Sequence, residues 1–198
     1  MAPSSSDEIA ATAARLVVEE GLDYGAAKRR AAQALGLNVR AASLPDNGQV
    51  EDEVREYLAL FCADTQPTEL AALRAVALEW MQRLAAFRPH LTGPVWRGTA
   101  TRLNNVNLQL YCDDSKQAEL ALIDQRVDYD VGSTTGPRGE LVDVLSVSSR
   151  STALGEHVTV HLTVLDHDDL RGALKPDADG RTARGDLAGL RRLMESVS

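Results

Sequence analysis

Between Arg88 and Pro94 the apolar residues of this chain change their spacing, and that change restricts the fold more than any other feature. Before it, apolar side chains recur at the three-to-four-residue interval that lines one face of a helix. After it they alternate, as in a strand with one buried face. Pro89, Gly93 and Pro94 punctuate the switch. A single-class chain is excluded, and the residues divide into a helical region over 1–91 and an α/β region over 92–198.

In the first region Ile9, Ala13, Leu16 and Val17 make the stripe of an amphipathic helix, with Ser6 placed to cap it. The run Gly21-Leu22-Asp23-Tyr24-Gly25 breaks that helix, and a second is expected over 26–35, closed by Gly36. Pro45-Asp46-Asn47-Gly48 marks a turn, after which Val50, Val54, Tyr57, Leu58 and Phe61 resume helical spacing. Thr65 and Pro67 open the longest helix. Its face of Leu70, Leu73, Val76, Ala77, Trp80, Leu84 and Phe87 places Trp80 in a core. A bundle of about four helices is expected.

In the second region Val106, Leu108, Leu110 and Cys112 alternate with Asn105, Asn107, Gln109 and Tyr111. Further strands are expected over 141–147 and 157–165, and helices over 113–125, 170–174 and 187–194.

Composition removes several function classes. Asp and Glu outnumber Lys and Arg by 29 to 21, for a net charge of -8. The excess is shared, at 13 against 9 over 1–91 and 16 against 12 over 92–198, so neither region suits a duplex-DNA binder. The run Lys28-Arg29-Arg30 is therefore expected to be a solvated helix face. Aromatic residues are 4% of the chain, too few for a platform that stacks single-stranded bases. No apolar run approaches the roughly 20 residues of a membrane span, and Met1-Ala2-Pro3-Ser4 starts no signal peptide. A cytoplasmic protein without a membrane partner is expected, with Cys62 and Cys112 as buried free thiols.

Chemistry concentrates in Trp96-Arg97-Gly98-Thr99-Ala100-Thr101-Arg102-Leu103-Asn104-Asn105-Val106-Asn107-Leu108. A strand ending at a Gly98-Thr99 turn, a loop carrying Thr101 and Arg102, and a strand opening Asn105-Val-Asn107 are expected. This stretch resembles the core signature of the nucleotidyltransferase superfamily. The resemblance implies a Gly-Ser or Gly-Thr turn that grips phosphate and an Asp-x-Asp pair that holds Mg²⁺. Asn105 and Asn107 occupy the paired positions here, and an amide oxygen brings no charge to a hard cation. The superfamily's third carboxylate would fall on Asp143, or its place on His161.

The chain as a whole is similar to an uncharacterised proteobacterial family. That family joins a helical first half (Glu19-Glu20-Gly21-Leu22-Asp23-Tyr24, then Ala27-Lys28-Arg29) to a nucleotidyltransferase-like second half. The implied fold is α+β: an N-terminal helical bundle packed with a small mixed sheet of nucleotidyltransferase-like connectivity. The implied function is a degenerate nucleotidyltransferase-like protein that binds a nucleotide or phosphorylated ligand through Gly98, Thr99, Thr101, Arg102, Asn105, Asn107 and His161. No cofactor is required by that reading.

Two alternatives stand beside it. One is a non-enzymatic interaction or regulatory protein that meets a protein partner with its helical half. The other is an active transferase that gathers Asp143 and one of Asp113 or Asp114 around a single Mg²⁺. His157 and His161, four apart on a strand, are separated by about 13 Å and do not share an ion. Asp166–Asp169 suits the start of a helix. Gly-x-Ser-x-Gly, His-Glu-x-x-His, Gly-x-Gly-x-x-Gly and Walker-type loops do not occur.

Overall fold

The computed structural model describes residues 4–38 and 43–196, a mixed α/β arrangement of two compact units, Met1–Thr68 and Glu69–Ser198. No helix among the described residues is long and apolar enough to cross a membrane.

The first unit contains α1 (Ser5–Glu20), α2 (Tyr24–Ala34) and α3 (Asn47–Phe61). Ser4, not Ser6, caps α1, because Asp7 lies three residues beyond it and completes a reciprocal box. Ser4 Oγ accepts from the Asp7 amide at 3.2 Å, and the Asp7 carboxylate accepts from the Ser4 amide at 2.9 Å. Asp46 and Gln49 repeat the device at α3. Ile9, Ala13, Val17, Ala27, Ala31, Val50 and Val54 are buried together in this unit's core. The basic run is only partly solvated. Lys28 Nζ donates to Pro45 O and Asn47 Oδ1, each at 3.0 Å, and Arg30 pairs with Glu20.

The second unit carries nearly all of α4 (Gln66–Arg83), then β1 (His90–Thr92), α5 (Gly93–Arg97), β2 (Val106–Tyr111) and α6 (Lys116–Asp124). There follow β3 (Asp130–Thr135), β4 (Leu141–Ser151), β5 (Glu156–Leu165), β6 (Arg184–Gly185) and α7 (Leu187–Glu195). The division expected after residue 91 thus falls after Thr68. The reason is packing: Leu73, Val76, Ala77, Trp80 and Leu84 of the α4 region share one core with Leu108, Leu110, Leu145 and Leu162 of the sheet.

The sheet has the order β3-β4-β5-β2-β1-β6. Only β2 and β5 run parallel, in register from Val106↔Val160 to Tyr111↔Leu165; the other neighbours are antiparallel. Two expectations change. The segment before Gly98 is the short helix α5, with Pro94 in its first turn, rather than the end of a strand. The segment expected to be helical over 170–174 is instead the end of a 3-10 turn, His167–Leu170, followed by turns over 171–174; Asp166 caps the 3-10 turn through the Asp168 amide.

Candidate functional site

Register sorts the sheet's side chains onto two faces, since directly opposed residues on neighbouring strands point the same way. One face carries the aliphatic core. On the other, Asp130, Ser146, His161, Asn107, Thr92 and Arg184 follow one another in a row across all six strands. Of the seven candidate residues, the structure brings Asn105, Asn107 and His161 together on or beside this polar row.

His161 is the row's centre. The Asn105 side-chain amide lies 3.1 Å from Nε2, and Ser146 Oγ lies 2.8 Å from Nδ1. With the amide donating into Nε2, the neutral ring carries its proton on Nδ1 and gives it to Ser146 Oγ. The Ser146 hydroxyl proton is then free to point elsewhere. Burial holds the His161 imidazole below its ordinary value of 6.5. A depressed histidine contributes stability at neutral pH that is lost as pH falls below that ordinary value, because the unfolded chain takes up the proton first. Stability measured by urea denaturation is therefore expected to fall between pH 7 and pH 5, and His161→Gln should remove its share of that decline, leaving the share of the buried His90. An unchanged decline would show that His161 has no share in it.

The Gly98–Asn104 loop is bound up in itself. Gly98 adopts a left-handed φ of 87°, and the Gly98 and Thr99 amides both donate to Pro94 O, at 2.9 and 3.0 Å. They do not offer the free N–H groups that gripping a phosphate requires. The buried Thr99 hydroxyl has no hydrogen-bond partner among the described residues. The Thr101 amide donates to Asn104 Oδ1 at 2.8 Å, and Thr101 Oγ1 faces the Leu103 amide at 3.4 Å. Arg102 points its guanidinium at Glu156, with contacts of 3.0 and 3.3 Å. Its amide donates to Glu69 at 2.9 Å.

Asp143 does not join the site. It is opposed to Ser133 and shares the face of Leu145 and Val147, opposite His161. Its charge acts on Lys116 at the start of α6. A site combining Asp143 with Asn105 and Asn107 is thereby excluded by strand parity. Among the described residues no group of three or more His, Cys, Asp or Glu comes close enough to hold a metal ion. Cys112 is buried as expected, whereas Cys62 is only partly so.

Sequence reading missed two supporting elements. Ser146 belongs to a regular alternation in β4 and could have been found from it. Arg74 sits at a core phase of α4, where a charge needs partners. Its guanidinium, buried and therefore held below the usual arginine value, donates to Val95 O at 3.0 Å and Trp96 O at 3.2 Å. It thereby anchors the last carbonyls of α5, directly before Gly98. Set against the models of known protein families, the chain matches none, and no curated protein matches it.

Proposed function

We propose that the chain is a nucleotidyltransferase-like binding protein that holds a nucleotide or other phosphorylated small molecule on the polar face of its sheet, without two-metal transferase activity. The observation that carries this reading is the row centred on His161. Hydroxyls, amides and a neutral imidazole there offer hydrogen bonds of both senses. In this reading Arg102, on the loop before β2, supplies the charge, and its guanidinium has to leave Glu156, which has the parity of Val158 and Val160, to meet a phosphate on the face of His161. Its pair with Glu156 is about half exposed on both sides, and such pairs contribute little, so a phosphate can take the guanidinium from the carboxylate.

A thermal-shift titration with ATP and GTP, with and without Mg²⁺, tests the reading. Saturation a hundredfold above Kd stabilises by about 2.7 kcal/mol, which is several degrees in Tm. The shift should persist without Mg²⁺, disappear in Arg102→Ala and grow in Glu156→Gln, where the guanidinium is released. No shift with any nucleotide would overturn it.

A second reading, a protein-interaction role for the helical unit, is favoured by Leu60 and Phe61 at the end of α3, which are 68% and 70% exposed.

A further inference from the structure

A cavity of about 540 Å³ opens in the second unit, lined by none of the candidate residues Gly98, Thr99, Thr101, Arg102, Asn105, Asn107 and His161. Its size lies within the about 300–1,000 Å³ of small-molecule pockets. The end of α4, the loop over 170–175 and the start of α7 enclose it. Its walls are mainly apolar, with Met81, Leu170, Leu174 and Leu187 supplying the larger surfaces.

The polar groups at this cavity are unevenly charged for a chain of net charge -8. Arg88 and Lys175 both line it, and among the described residues neither has a carboxylate within ion-pair distance. The opposing charge is Asp186, whose carboxylate is committed to the Gly189 amide at 2.8 Å as the cap of α7. His90, 5% exposed, lines the cavity as a neutral ring. Its Nδ1 is 2.8 Å from Arg88 O, and burial lowers its affinity for a proton. That contact also ties the ring to the backbone of Arg88, a non-glycine residue at φ 47°.

We propose that this cavity is a binding site for an amphipathic monoanion: a hydrocarbon body seated among Met81, Leu170, Leu174 and Leu187, and a carboxylate held by Arg88 and Lys175. Two unpaired cations beside apolar walls select for both halves of such a molecule. A purely apolar ligand gains nothing from the cations, which stay hydrated, and a small inorganic anion leaves the apolar walls in water. The site shares no residue with the phosphate-binding reading, so either can fail alone.

Isothermal titration calorimetry on the full chain, with octanoate as the probe, tests the proposal. Octanoate should bind saturably at one site. Acetate and inorganic phosphate, which lack the hydrocarbon body, and octylammonium, which has the wrong charge, should each bind at least tenfold more weakly. The variant Arg88→Gln with Lys175→Gln should lose at least tenfold in octanoate affinity. Its circular dichroism and Tm should stay as in the parent, since both side chains are exposed. Lys175→Gln alone, in a surface loop, should show part of the loss. Arg102→Ala should bind octanoate normally. Absence of saturable octanoate binding, equal binding of acetate or phosphate, or full affinity in the folded double variant would each overturn the proposal.

Discussion

Replacing Trp80 with alanine is expected to destabilise the second unit by about 3–5 kcal/mol, the usual range for emptying a buried aromatic position. The ring is 2% exposed and lies in the core formed by α4 and the sheet. The Arg83 guanidinium sits 4.1 Å from its ring centroid and would lose that contact. Trp80→Phe should behave differently. The indole Nε1 is buried with no hydrogen-bond partner among the described residues, so the native side chain already carries the cost of an unanswered donor. Phenylalanine removes that donor while keeping most of the apolar surface, and should cost less than half as much as alanine. Urea denaturation of both variants measures the difference. Equal losses would mean that the indole nitrogen is satisfied after all.

The second large effect is expected at Gly185. A Cβ there would stand 2.0, 2.2 and 2.6 Å from three atoms of the Trp96 ring, and one at Gly189 would stand 3.2 Å from it. The ring therefore occupies a slot between two glycines, pinned by its Nε1–H, which donates to Thr182 O at 2.8 Å. Gly185→Val must drive the ring out or pull β6 from β1, where Gly185 opposes Leu91. A loss of about 3 kcal/mol, at the upper end for overpacking, is expected, read as a lower urea midpoint. The cause is separable from a backbone effect by a double-mutant cycle. In a Trp96→Ala background Gly185→Val should cost far less than in the parent. Simple additivity would reject the steric explanation.

Much of the architecture was legible because its elements are long and strictly periodic. The helices α1 and α3 show clear apolar stripes, α4 shows one interrupted by Arg74, and β2 and β5 alternate up to their last residue. What escaped was short or exposed. In α5, five residues including Pro94 read as a break, although proline suits the first turn of a helix. The strand β3 is exposed along its whole length, so it has no buried face to produce alternation. The displaced unit boundary has a related origin: the phase of α4 shows that one face is apolar, but not which surface will cover it.

The site was legible in part for the same reason. Asn105, Asn107 and His161 lie on strands whose parity is visible, and they do meet. Asp143 could not be placed, because one residue of register decides which face it takes, and register is set by pairing rather than by local spacing. The commitment of the Gly98 and Thr99 amides to Pro94 depends on α5, which the sequence reading did not anticipate.

The place of β2 in the sheet bears on how the chain is assembled during synthesis. It lies between β5 and β1, and its partner in β5 emerges some 54 residues later, as Val106 pairs with Val160. Until β5 appears, one edge of β2 presents open backbone donors and acceptors beside Val106, Leu108 and Leu110. The hairpins of β3, β4 and β5 can form from near neighbours, whereas insertion of β2 has to wait for a distant closure. A ribosome stalled before residue 156 therefore carries a sticky intermediate, and chaperone demand should peak in that interval.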